Sequence, residues 1–435
     1  MATTDKMRVV SIVGATGGGT QSLTVAGFGT PTAAILITSR ATVDATVNGY
    51  GVSIGFTDGT NEFVSGNRSV HGGANAEADR IWAVAGQLGW VMSDVTDPLN
   101  GDSIFSFSQW VTDGIEITWG VAPSTAIQVV AILIQCANAQ VGSFDSSATQ
   151  DVATTITMSP SFAPQTVFIA GNDEDDGIPE TAFVYAQSLL GVADYNGSTV
   201  EQGSIMHLSV DGAAAGDPYA NIWTNRVRRH PTVGTESLEL ENFVSNAFDA
   251  TTRDGNSVSQ NIGYLALAWN TADRRVTTFD APTGTATVNK SFTWPGFTPQ
   301  CVIQALTMLT ATDTQTTDAN AGSQGIGIFD KDGGEECIAW ADEDAAATIN
   351  TESTHAANAL VLHTGAGAAL FDANIANGSM DATGYTLEFT TIPAATTRKW
   401  LGFALQDPPV SQQSDSAGIG IVDPSTVLVQ VEVGL

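Results

Sequence analysis

The chain has 435 residues, 43% hydrophobic and only 14% charged, so it can bury real cores and lacks the charge density of a disordered chain or a coiled coil. At roughly 100–200 residues per domain, the length implies two to four domains. Forty-six Asp and Glu against 15 Lys and Arg leave a formal net charge of −31. That field disfavours nucleic acid and anionic lipid, and no apolar run approaches the ~18 residues of a spanning helix.

From the N-terminus, Met1 to Arg8 leads into Val9-Val10-Ser11-Ile12-Val13. This stretch is too short for the core of a secretory signal and predicts folding in the cytoplasm that makes the chain. Cys136, Cys301 and Cys337 are odd in number and widely spaced. They read as small core residues in a reducing compartment, not as a disulfide framework or a metal site.

One unit then recurs along the chain. Phe28 with Pro31, Phe162 with Pro164, and Phe297 with Pro299 each lead into an apolar run, and the phenylalanines are 134 and 135 residues apart. Phe144-Asp145 returns as Phe279-Asp280. Val129 to Ile134, Tyr264 to Trp269 and Trp400 to Leu405 close the three copies, and Gly114-Ile115-Glu116-Ile117 matches Gly384-Tyr385-Thr386-Leu387. In the second copy this late element is replaced by the longer stretch from Asn246 to Gln260.

Each unit reads as β. Ile115, Ile117 and Trp119 alternate with Glu116 and Thr118, and Leu238 and Leu240 alternate with Glu239 and Glu241. Period-two alternation marks half-buried strands. Thr57-Asp58-Gly59, Asn196-Gly197, Asp254-Gly255, Asp332-Gly333 and Asn377-Gly378 supply the turns. Ala131 to Ile134, apolar throughout, predicts a central strand covered on both faces. Thr181 to Leu190 reads equally as a helix or a strand. The expectation is an all-β chain of three tandem homologous β-sandwich (jelly-roll-like) domains, each of about eight strands, over residues 1–136, 137–271 and 272–406. Because the recurrent Phe-Asp lies within each junction, the domains are expected to form a stiff rod or arc. The tail, 407–435, ends in an extension strand with Val427, Val429, Val431 and Val433 on one face, suited to adding to a sheet edge of the first domain, of a neighbouring subunit or of its own third domain.

Candidate chemistry is sparse. The glycine-rich Gly14 to Thr20 lacks the Lys of a phosphate loop, no Gly-x-Ser-x-Gly elbow occurs, and His71, His207, His230, His355 and His363 form no zinc spacing. Trp82 and Trp223 occupy comparable places in two copies; core packing competes with a glycan-stacking role for both. Asp173 and Asp175 in the second copy, and Asp330, Asp332 and Glu335 in the third, sit on tight turns where carboxylates converge on Ca²⁺, although neither cluster completes a calcium-loop pattern. Solvated turn charge is the competing reading, and no other cofactor is expected. Arg226, Arg228 and Arg229 form the one basic knot, expected to pair with an acidic surface, the chain's own or a neighbour's, in assembly.

The unit Gly-Phe-x-Pro-x-x-Val-x-Ile, followed by the late Gly-Tyr/Ile strand and the closing Tyr/Trp-Leu-Ala/Gly-x-Ala, resembles a β-sandwich module of bacteriophage virion structural proteins, often tail- or appendage-associated. The matching positions are Phe28, Pro31, Phe162, Pro164, Phe297 and Pro299, then Gly114, Ile115, Gly384 and Tyr385, and finally Tyr264 and Trp400. The second copy departs at the late strand, and the first has Val129 where an aromatic is usual. The resemblance implies a non-enzymatic virion protein of a tail, fibre or capsid-surface appendage (capsid decoration included), assembled in a bacterial cytoplasm. Its expected partners are further copies of itself and other virion proteins, without nucleic acid or membrane insertion. A carbohydrate-binding adhesin recognising a host-surface glycan in host attachment is the second reading, and a glycan hydrolase of the tailspike kind the third.

Overall fold

The structure, a computed structural model, describes residues 5–407 apart from 42–44, 70–79, 92–102, 172–184, 211–218, 230–236, 255–259, 271, 285–287, 315, 318–322, 343–350, 364–368 and 393–396. Among the described residues every regular element is a β-strand.

The first repeat comprises β1 (Lys6–Val13), β2 (Gly19–Thr24), β3 (Ala33–Ser39), β4 (Ala45–Asn48), β5 (Tyr50–Thr57), β6 (Glu62–Ser69), β7 (Arg80–Ala85), β8 (Gly89–Val91), β9 (Ser103–Val111), β10 (Gly114–Val121) and β11 (Gln128–Gln135). The second comprises β12 (Asn138–Asp145), β13 (Val152–Thr157), β14 (Thr166–Gly171), β15 (Tyr185–Tyr195), β16 (Val200–Val210), β17 (Tyr219–Trp223), β18 (Arg228–Arg229), β19 (Ser237–Val244), β20 (Ala247–Asp254) and β21 (Asn261–Ala268). The third comprises β22 (Arg274–Asp280), β23 (Val288–Phe292), β24 (Pro299–Thr307), β25 (Thr316–Thr317), β26 (Gln324–Asp330), β27 (Glu335–Asp342), β28 (Thr351–Ala356), β29 (Leu360–His363), β30 (Ala369–Asp381), β31 (Gly384–Thr391) and β32 (Lys399–Gln406).

Each repeat is a pair of antiparallel sheets built to one plan. The larger sheet runs β1-β11-β3-β5-β6-β7 in the first repeat, and the smaller runs β2-β10-β9-β8. The second and third repeat the order as β12-β21-β14-β15-β16-β17 with β13-β20-β19-β18, and β22-β32-β24-β26-β27-β28 with β23-β31-β30-β29. The shared plan therefore has ten strands, more than the eight expected. Residues 185–190 belong to a strand, which resolves that ambiguity. The late strand of the second copy is present as β20, paired with β13 and β19. Buried Phe248 and Ala250 flank half-exposed Asp249, but Thr251 and Thr252 are buried as well, so the strand kept its place in the sheet without keeping the alternation.

The repeats do not string out as a rod or arc. Their larger sheets turn toward one another and share a single core, with Ile54 and Ile132 from the first, Phe168 and Leu265 from the second, and Ile303 and Phe403 from the third. Phe168 and Phe403 meet edge to face at 5.1 Å. A Cβ on Gly263 would lie 1.9 Å from Phe63, so the second repeat's backbone presses against the first. The reason lies in the strands themselves. β11, β14 and β24 are buried along almost their whole length, so each larger sheet needs a cover on both faces. The smaller sheet covers one face and forms a private core, around Ile115, Ile117 and Leu133 in the first repeat; the neighbouring repeats cover the other.

Candidate functional site

The groups most heavily committed across long sequence separations lie at the three seams, and they obey one cyclic rule. The hairpin of each repeat presents an Asp at its first strand's end, and that Asp grips the leading strand of the next repeat. Asp58, Asp194 and Asp330 are spaced 136 residues apart. Asp58 Oδ2 accepts from the Val141 amide at 2.8 Å. Asp194 Oδ1 accepts from Arg274 Nε at 2.8 Å, while Glu201 accepts from the Val276 amide at 3.1 Å. Asp330 Oδ2 accepts from the Val9 amide at 3.0 Å, closing the ring from the third repeat to the first.

The closing seam is the most elaborate. Arg8 Nε donates to Asp332 at 2.6 Å, and Ser11 donates to Glu336, whose other oxygen lies 2.7 Å from His355 Nε2. Gln300 Nε2 donates to the carbonyls of Asp5 and Gln406, at 3.0 and 2.8 Å, holding the start of β1 beside the end of β32. The Asp5 carboxylate accepts from the Asn270 and Ala272 amides at 2.9 and 3.0 Å.

Strands also cross the seams. β4 of the first repeat extends the third repeat's larger sheet by pairing antiparallel with β28, and β25 of the third extends the second repeat's sheet by pairing with β17. Asp313, in left-handed conformation at φ 58°, donates its amide to the Ile222 carbonyl at 2.8 Å and accepts from Thr224. The equivalent connection of the second repeat lies outside the described residues. Asn48 and Glu352 pair across 304 positions of sequence, so this exchange joins parts of the chain that local pattern cannot relate.

Burial raises the carboxyl pKa of Asp194 above the usual range, against the pull of Arg274 and Thr166. It does the same for Asp330 against the pull of the Val9 amide. These groups are acceptors at packed seams, and the chemistry they perform is structural: a buried carboxylate held by N–H and O–H donors fixes one docking geometry.

The residues singled out from sequence fall as follows. Asp330 spends its oxygens on the Val9, Asp332 and Gly334 amides, Asp332 takes Arg8, and Glu335 accepts from the Ala359 amide at 3.0 Å. The calcium cluster is thus turned toward N–H donors, and among the described residues no three His, Cys, Asp or Glu side chains gather as metal ligands. Asp173 and Asp175 lie outside the described residues, as do Val427, Val429, Val431 and Val433. Trp82 is fully buried with its ring 6.2 Å from that of Trp90, which removes it as a surface for sugar. Trp223 is half-buried, and the Arg229 guanidinium lies 4.9 Å over its ring. Arg226 pairs with Glu239 at 3.2 Å, Arg229 with Asp254, and Arg228 is buried, so this knot is engaged within the second repeat. Burial pushes the Cys136 and Cys337 thiols up to about 12 and Cys301 higher still, which keeps all three as unreactive thiols at neutral pH.

Comparison with protein-family models, with curated proteins and with solved structures finds no match for this chain.

Proposed function

We propose that the chain is a non-enzymatic structural component of a bacteriophage particle, in a tail, fibre or capsid-surface appendage. One observation carries this reading: three homologous sandwiches are closed into a ring by a shared core, exchanged strands and three Asp clasps, two of them buried. Such closure commits polar groups and apolar faces to internal rigidity, which is the property a scaffold under mechanical stress needs. The resemblance of the repeated unit to virion modules gives the class of scaffold, and the surface charge opposes nucleic acid as its partner. Residues 408–435, with the valine stripe at 427–433, supply the segment through which the ring joins further copies or other virion proteins.

Mass spectrometry of particles assembled from the encoding genome is expected to recover the chain in fixed ratio to the shell protein. A chain found only in the unassembled fraction overturns the reading. Deleting residues 408–435 is expected to abolish incorporation while leaving the melting temperature of the ring unchanged. The adhesin reading no longer rests on Trp82, whose indole no sugar can reach.

A further inference from the structure

The second repeat has a cleft of about 340 Å³ whose lining includes Pro164, Gln165, Tyr195, Gly197, Val244 and Ser245. It arises from a local departure from the repeated plan. In the first repeat the clasp residue Asp58 itself opens the hairpin turn, its carboxylate accepting from the Thr60 and Asn61 amides. In the second the strands run on past Asp194 to the pair Tyr195↔Val200, and Asn196 opens the turn instead. The extra pair lifts Tyr195 over the end of β19, where it stacks on Phe243 with ring centres 5.6 Å apart and planes 19° from parallel.

The same space is filled in the first repeat. Trp110, like Phe243 the penultimate residue of its strand, lies so close to the turn that a Cβ on Gly59 would sit 2.3 Å from its Nε1. A Cβ on Gly197 would meet nothing within 4 Å. The smaller phenylalanine and the longer hairpin together leave the second repeat open where the first is closed.

The lining tells what fits. None of it is charged, on a chain of net charge −31, so neither an anionic nor a cationic ligand finds a counter-ion there. Val244 is 52% exposed, the highest among the large hydrophobic residues described as exposed. Gln165 Oε1 is taken by the Trp269 amide at 2.7 Å, leaving its Nε2 to donate. The Tyr195 and Ser245 hydroxyls make no hydrogen bond to another described residue. Apolar and aromatic walls with a few neutral donors and acceptors are the composition of a small-ligand site, and they match the C–H faces and hydroxyls of an uncharged sugar ring.

We propose that this cleft binds a neutral saccharide. The proposal stands apart from membership of a particle, since a free protein could use the same site. The test is titration of the full chain, followed by NMR, with cellobiose, maltose, lactose and chitobiose, and with sialyllactose as the acidic comparison. At least one neutral probe is expected to bind saturably at about millimolar affinity. Val244→Glu, which sets a carboxylate at the rim, and Ser245→Trp, which fills the space, are each expected to weaken it by about tenfold or more, as 1.4 kcal/mol is tenfold. Both lie at a surface turn, and an unchanged melting temperature verifies that the fold is kept. Binding of none of the neutral probes, equal binding of sialyllactose, or affinity that survives both substitutions overturns the proposal.

Discussion

Asp330 shows what a single carboxylate does at a seam. It is nearly inaccessible to solvent and accepts from three backbone amides, those of Val9, Asp332 and Gly334, at 3.0, 2.9 and 3.1 Å. Asp330→Asn replaces an acceptor with an NH₂ that faces N–H donors, and should cost about 2–3 kcal/mol in chemical denaturation. Asp58→Asn, at a half-exposed hairpin, should cost about 1 kcal/mol; equal losses for the two would contradict the weight given to burial. If the turn were a calcium loop, EDTA would lower the melting temperature, whereas the clasp geometry predicts no change. The turn itself was legible in sequence as Asp-Lys-Asp-Gly-Gly, and so was its acidity. What the carboxylates face was not, because the Val9 amide lies 321 residues away. The 136-residue spacing of Asp58, Asp194 and Asp330 was a signal available in the sequence, masked by the ordinary preference of Asp for turns.

His207 sets a pH dependence at the same scale. Burial in the second repeat pushes its pKa down to about 3, against about 6.5 in an unfolded chain. A group whose folded pKa is depressed gives stability that is present above its unfolded value and lost as pH falls, here by about 1.4 kcal/mol per unit below about 6.5. Asp194, Asp330 and Glu62 act with the opposite sign, since their raised values make the folded chain gain stability as pH falls through them. Substituting His207→Asn removes only the first contribution. Its melting temperature should therefore approach that of the wild type between pH 7 and pH 5; parallel curves would dismiss the assignment.

At the scale of elements, period-two alternation marked β10 and β31, where buried and more exposed positions interleave, and β19. It did not find β20, whose burial runs through Ala250, Thr251 and Thr252 without alternating. The exchanged strands were invisible for a physical reason. β4 is four residues long and β25 only two, and Ala-Thr-Val-Asn or Thr-Thr specifies nothing until a distant edge offers its ladder. The pairing makes a local claim: β28 is protected by a strand from another repeat. A Thr46→Pro, Val47→Pro double variant removes the one ladder donor that these adjacent residues give β28, and should raise exchange of the β28 amides that face β4 by at least about tenfold. Exchange elsewhere in the third repeat should change little. Unaltered protection of β28 would mean that the pairing does not persist in solution.

For the whole molecule, the sequence showed that the closing strand of the first unit must be covered on both faces, and left open what supplies the second cover. Two sheets of one sandwich can bury only one face of each. The remaining faces, bearing Ile132, Leu265 and Phe403, are satisfied only by one another, which turns three linked domains into one body. A compact chain of this length has a radius of gyration of about 22 Å, whereas three sandwiches in a row would exceed ~30 Å, and small-angle scattering separates these cases directly. The stronger consequence concerns independence. Residues 138–268 contain a complete sheet pair with its own core around Ile156, Leu240 and Phe248, so their strands can form alone. In isolation, however, that unit would expose Phe168, Leu190, Val192, Ile205, Leu265 and Leu267 on one contiguous sheet face. An apolar face of this kind does not stay in water as a monomer. Expressed by itself, the second repeat should self-associate or aggregate, while the full ring unfolds in one cooperative transition. A soluble, monomeric, cooperatively folding second repeat would show that the sandwiches are neighbours rather than parts of one core.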